Sequence, residues 1–153
     1  MTSRRRQRLP LNAYDVEGSV WHVTVNVDKR NGSPFKNLEF GQEIIDCFMH
    51  ACEKDEAIAY VLCAMPNHLH ALVEVRREGL LKVIGRAKST TTRIWWKYGG
   101  IGSLWQESFH DHGIREPRDF EATVTYVLNN PVEAGLAETW DTYPLIGGAL
   151  IAG

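Results

Sequence analysis

The sequence predicts an α+β protein of ferredoxin-like kind, an antiparallel sheet with helices packed on it. Three observations carry this expectation. Residues 20–27 and 68–75 alternate along the chain as strands with one core face do. Residues 38–52 and 80–98 repeat apolar side chains at three- and four-residue spacing, as amphipathic helices do. The order of elements is strand, helix, strand, strand, helix, strand, helix, which suits a split βαβ layer protein. A chain of 153 residues fits a single domain that buries about two-thirds of the surface its unfolded form exposes.

Residues 1–18 read as a basic arm, with Arg4, Arg5, Arg6 and Arg8 followed by Pro10, Asn12, Asp15 and Gly18 and no sustained periodicity. The first strand then places Trp21, Val23, Val25 and Val27 on one face and His22, Thr24 and Asn26 on the other. Asn31-Gly32-Ser33-Pro34 is a turn cluster. The first helix carries Phe40, Ile44, Ile45, Phe48 and Cys52 on its apolar side and Glu39, Glu43 and Asp46 on early turns, where acids suit the helix dipole. Residues 58–64 form a short apolar strand, and Met65-Pro66-Asn67 turns the chain into the strand that starts at His68, so a hairpin is expected.

In that strand, His68 and His70 project side by side, followed by Leu72 and Glu74, while Leu69, Ala71, Val73 and Val75 make an apolar back. The second helix bears Leu80, Leu81, Val83, Ile84, Ala87, Ile94 and Trp95. At about 100° per residue its Lys82, Arg86, Arg93 and Lys97 fall in one stripe, joined by Ser89. Stacked like charges repel, so the stripe calls for something anionic to neutralise it. After the break at Gly99-Gly100-Ile101-Gly102, residues 104–115 are expected to be a strand on which His110 and His112 share a face opposite Asp111. Pro117 opens a third helix with Phe120, Val124, Val127 and Leu128 toward the core and Ala122, Tyr126 and Asn130 on another side. Pro131 is expected to end it, with Asn130 as its last residue. Residues 139–153 read as a mostly irregular tail.

Composition bounds the partners. The net charge of −2 gives little global attraction for nucleic acid, but basic residues concentrate at the N-terminus and between Arg76 and Lys97. Cys47, Cys52 and Cys63 are odd in number and lack zinc-type pairing, and they read as reduced core thiols. No apolar run approaches the roughly 20 residues of a membrane span, and the basic start leads into Leu-Pro-Leu-Asn rather than a signal core. A cytoplasmic protein without a membrane partner is the expectation.

Two neutral imidazoles with an amide oxygen from Asn130 would hold a divalent cation and leave positions open. Mg²⁺ or Mn²⁺ suits this set better than zinc, since no His-Glu-x-x-His helix exists and no Cys joins the histidines at zinc spacing. Such a site takes phosphate oxygens, and a nearby tyrosine could attack a phosphodiester in line. Water as the nucleophile of a metal phosphohydrolase, with His110 and His112 contributing, stays open on spacing alone.

The segments Met65-Pro66-Asn67-His68-Leu69-His70, Gly85-Arg86-Ala87-Lys88-Ser89, 104–112 and 126–136, the last reading Tyr-x-x-x-Asn-Pro-Val-x-Ala-Gly-Leu, resemble the REP-associated tyrosine transposases. These are HUH single-strand transposases with one catalytic tyrosine, and the resemblance covers residues 20 to 145. It implies an HUH-type palm, a metal pair at His68 and His70 completed by Asn130, and a nucleophile at Tyr126 that forms a 5′-phosphotyrosine link and leaves a 3′-hydroxyl. It further implies a substrate of single-stranded DNA hairpins formed by REP-like palindromes, a nucleoid-associated location, and a monomer or homodimer. Arg4, Arg5, Arg6, Lys82, Arg86, Arg93 and Lys97 are then candidate DNA contacts. Trp95, Trp96 and Trp105 are candidate stacking platforms, and His110, Asp111 and His112 support the site or order their strand. A hairpin-binding regulator that does not cut is the reading of a different class.

Overall fold

The computed structural model describes residues 11–151. Among them the elements run β1 (Val20–Asn26), α1 (Leu38–Lys54), β2 (Ile58–Met65), β3 (His68–Glu74), α2 (Leu80–Lys97), β4 (His110–Ile114), α3 (Pro117–Glu133) and β5 (Ile146–Gly147). The sheet order is β4-β1-β3-β2-β5, and each neighbouring pair is antiparallel. The first four strands and two helices thus form the ferredoxin-like unit read from the sequence, with α3 and β5 added to it.

Alternation separates the two faces. Trp21, Val23 and Val25 of β1 and Leu69, Ala71 and Val73 of β3 point toward α1 and α2, where they meet Phe40, Ile44, Phe48, Leu80, Val83 and Ile84. Burying side chains of this size stabilises the fold by about 1.5–3 kcal/mol each. On the opposite face Val61, Cys63, Met65 and Leu72 meet Val127 of α3, with Phe120, Val124 and Leu128 packed around them. One extra residue makes this possible in β2. Ala59 pairs with Val73 and Val61 with Leu72, so the bulge at Tyr60 moves the strand's later side chains from one face to the other.

The β2–β3 hairpin has only Pro66 and Asn67 between paired Met65 and His68. Two-residue hairpins usually take turns with positive φ, yet Glu56 is the sole non-glycine residue with positive φ among the described residues. Tertiary hydrogen bonds hold the turn instead: the Val27 amide donates to the Asn67 carbonyl (3.0 Å) and the Phe35 amide to the Pro66 carbonyl (3.2 Å).

Two expectations need correction, and the tail adds a short strand. First, α3 does not stop before Pro131 but runs to Glu133. Pro131 removes only one amide near the end of the helix, and the actual stop is Gly135 at φ 75°. There the Gly135 amide donates to the Val132 carbonyl and Leu136 to Pro131, the two bonds of a Schellman motif. Asn130 therefore lies inside the last turn. Second, residues 104–109 do not continue β4. Trp105 bridges Val27 and the Gln106 amide reaches the Asn26 carbonyl, but Lys88 then takes the Gln106 and Glu107 carbonyls (2.7 and 2.8 Å) and the ladder restarts at His110. Trp105 itself is a core residue whose indole N–H donates to Thr91 Oγ1. The mostly irregular tail supplies β5, whose Ile146 and Gly147 pair with Cys63 and Leu62. Gly148 follows at φ 113° so close to the Tyr60 and Val61 backbone that no Cβ would fit.

Of the N-terminal stretch, Tyr14 is buried and stacks on Trp21, with ring centroids 5.1 Å apart. Arg4, Arg5 and Arg6 lie outside the described residues. The three cysteines are free thiols, and burial pushes Cys52 and Cys63 up to about 12.

Candidate functional site

The face covered by α3 carries the histidines. Register sets Thr24 opposite His70 and Asn26 opposite His68 on one side of β1, and His112 opposite His22 and His110 opposite Thr24 on the other. His22, Thr24, His68, His70, His110 and His112 thus share one face of three adjacent strands. The polar side of β1 is the floor beside the His68 strand.

His68 and His70 stand with ring centroids 5.0 Å apart and nearly perpendicular. The Nδ1 of each ring is occupied. His68 Nδ1 lies 2.8 Å from Asn67 Oδ1, to which it donates, and His70 Nδ1 lies 3.1 Å from His22 Nε2 and 3.3 Å from Thr24 Oγ1. Burial pushes the His70 imidazole down to about 3, with His68 and His22 adding to the effect, and burial also lowers His68. His22 is lowered by burial and then by His112. Burial thus favours the neutral form of all three rings.

Tyr126 reaches this group from α3. Its ring centroid is 5.8 Å from that of His70 and 5.7 Å from that of His22, both in edge contact, while 53% of its surface remains exposed. The neighbouring Val127 is fully buried against the sheet and holds the helix in place. Asn130 follows one turn later, and its Nδ2 donates to the Tyr126 carbonyl at 3.1 Å, which leaves Oδ1 as an acceptor. Among the described residues, no hydrogen bond joins Asn130 to a histidine. Nor does any group of three or more His, Cys, Asp and Glu side chains among the described residues have metal-binding geometry.

His110 and His112 are exposed on the edge strand, whereas Asp111 is buried and accepts from the Tyr14 hydroxyl at 3.4 Å. The α2 stripe is different again. It sits on a helix that covers the other face of the sheet, away from the histidines. Lys82 pairs with Glu78 at 3.4 Å, and Arg86 pairs with Asp55 and, at 3.8 Å, with Glu78. Two of the four charges are therefore neutralised within the chain. Arg93 and Lys97 form no salt bridge among the described residues, and Arg93 lines an open groove of about 600 Å³ with Lys88, Ser89, Gln106 and Trp96. Trp96 is 54% exposed and Trp95 is half-buried.

Sequence reasoning left His22 and Thr24 as floor residues without a role. Their alternation was visible, but their contact with His70 depends on the β1–β3 register, which alternation does not give.

The profile of the family described as "Transposase IS200 like" matches residues 15–130. The REP-associated tyrosine transposase of Escherichia coli (strain K12) is 25% identical over 134 residues, spanning 86% of this chain and 77% of its own length. A solved structure of a REP-associated tyrosine transposase bound to a REP hairpin superposes with a TM-score of 0.73 at 21% identity, covering 95% of this chain and 82% of that one. At that identity the likeness is one of fold. Among the described residues no helix is long and apolar enough to cross a membrane.

Proposed function

Since the chain belongs to the IS200-like transposase family, we propose that it is a divalent-metal-dependent endonuclease and strand transferase for single-stranded DNA, acting at hairpin or palindromic repeats. The observation that carries this reading is the approach of Tyr126 to His70 and His22, 5.8 and 5.7 Å between ring centroids, on a half-exposed face. The named relative bound to a REP hairpin supports the choice of substrate.

The donor set fits a divalent cation. His68 and His70 are adjacent and tied at Nδ1, so Nε2 of each would hold the cation, and Asn130 Oδ1 is the candidate third donor. The chemistry that Mg²⁺ or Mn²⁺ supplies at such a site is polarisation of the scissile phosphate. The chain's own residues do the rest. Tyr126 attacks phosphorus through its hydroxyl oxygen, giving up its proton to water at the open face, and the departing 3′-oxygen takes up a proton to become a 3′-hydroxyl. The 5′-phosphotyrosine link conserves the bond for a second 3′-hydroxyl, whose attack frees Tyr126 and completes transfer. Lys97 and Arg93, with the N-terminal arginines, are the candidate phosphate contacts, and Trp96 is a candidate base platform.

The test is incubation with a labelled single-stranded hairpin and Mg²⁺ or Mn²⁺, followed by denaturing electrophoresis. A covalent protein–DNA band is expected, absent from Tyr126→Phe while hairpin binding persists. Cleavage that survives Tyr126→Phe means a hydrolase using water. Binding without any cleavage by the wild type means a regulator.

A further inference from the structure

We propose that His22 is a positioning residue which, together with Thr24, holds the proton of His70 on Nδ1 and so keeps a lone pair on the His70 Nε2 for the cation. The inference rests on the metal reading of His68 and His70 and extends it to a third histidine, on another strand.

The geometry is specific. His22 Nε2 lies 3.1 Å and Thr24 Oγ1 3.3 Å from the same atom, His70 Nδ1. Both partners come from β1, two residues apart on one face, and Thr24 is directly opposite His70 in the ladder. The His22 and His70 rings sit 5.3 Å apart at 30°. A neutral imidazole has one N–H, and the two nitrogens compete for it. With the proton on Nδ1, both neighbours can accept it and Nε2 is free to ligate. With the proton on Nε2, the ligating lone pair is gone. The two neighbours therefore decide which His70 the site presents.

His68 has the same arrangement by a different route. Its Nδ1 donates to Asn67 Oδ1, an acceptor from its own turn. Each candidate ligand thus has a Nδ1 partner, one local in sequence and one delivered across the sheet. His22 has a second contact in the same site, the edge of the Tyr126 ring. A single side chain on β1 touches both a ligand and the nucleophile.

Two readouts on the full chain without DNA test this. Long-range ¹H–¹⁵N correlation of histidine-labelled protein reads the His70 tautomer, and electron paramagnetic resonance of free Mn²⁺ reads cation affinity. The wild type is expected to carry His70 as the Nδ1–H tautomer. His22→Leu is expected to weaken Mn²⁺ binding by about 10–100-fold, the range for loss of such a partner. His22→Gln, whose amide oxygen can accept from the same nitrogen, is expected to recover most of it, a rescue that a purely space-filling role would not give. A His70 protonated at Nε2 in the wild type overturns the proposal, as does Mn²⁺ binding by His22→Leu equal to wild type, or equal loss in His22→Leu and His22→Gln. Failure of the metal reading looks different: the wild type takes up no Mn²⁺, or His70→Ala takes it up unchanged, and the tautomer measurement then decides the role of His22 by itself.

Discussion

The two faces of the sheet are built from the same strands to opposite ends. The face under α1 and α2 is closed and apolar, with Phe48, Ile44, Leu69 and Val73 fully buried. The face under α3 is half covered. It mixes a small apolar cluster around Val127 with histidines and a tyrosine that keeps 53% of its surface exposed. One face supplies stability, and the other uses it to hold polar groups close together at positions they would not keep alone.

The contrast can be tested by substitution, beginning with the largest effect. Phe48→Ala should cost about 3–5 kcal/mol, and with it on the order of 10 °C in Tm, whereas Tyr126→Phe should stay within about 0.5 kcal/mol while losing the covalent adduct. Chemical denaturation of both variants reads the difference, and equal losses would erase the division of labour. Thr91→Val is the next step down. It removes the acceptor of the buried Trp105 indole N–H, 2.8 Å away, and should cost about 1–3 kcal/mol by the same measurement.

Tyr143 tests the face under α3. Its hydroxyl donates to the Ala64 carbonyl at 2.6 Å, and burial pushes it up to about 12. The unfolded tyrosine loses its proton near pH 10, so between about pH 10 and 12 the folded chain holds the proton that the unfolded chain has released. Stability then falls as pH rises through that window. Tyr143→Phe should cost about 1 kcal/mol at pH 7 and flatten that alkaline limb, as read by melting curves at stepped pH. The smallest effects belong to the α2 stripe. Arg93→Ala and Lys97→Ala should leave stability within about 0.5 kcal/mol and each lower the log–log salt slope of hairpin binding by about 1 if they touch phosphate. Lys82→Ala, already paired with Glu78, should change that slope less.

Much of this division was legible in the sequence. Alternation in residues 20–27 and 68–75 and three-four spacing in the helices gave the layers, and His68, His70 and Tyr126 were named by motif. What escaped depended on contacts between segments distant in sequence. The bond from His22 to His70 needs the register of β1 on β3. The neutralisation of Arg86 needs Asp55, which arrives from the end of α1. The short strand β5 is two residues long and carries no pattern of its own. Pro131 read as a stop because its missing N–H is a local fact, while the Schellman bonds at Gly135 depend on the residues around it.

The turn at Pro66 and Asn67 has a consequence for folding. Its two carbonyls are held by amides of Val27 and Phe35, residues buried on the closed face, and its Asn67 side chain orients His68. The histidine pair is thereby fastened to the joint between β1, the segment leading into α1, and the hairpin. A partly opened chain that has undocked either segment loses the seat of His68 at the same moment. The site and the core are therefore expected to open together, which hydrogen exchange at the Val27 amide would read.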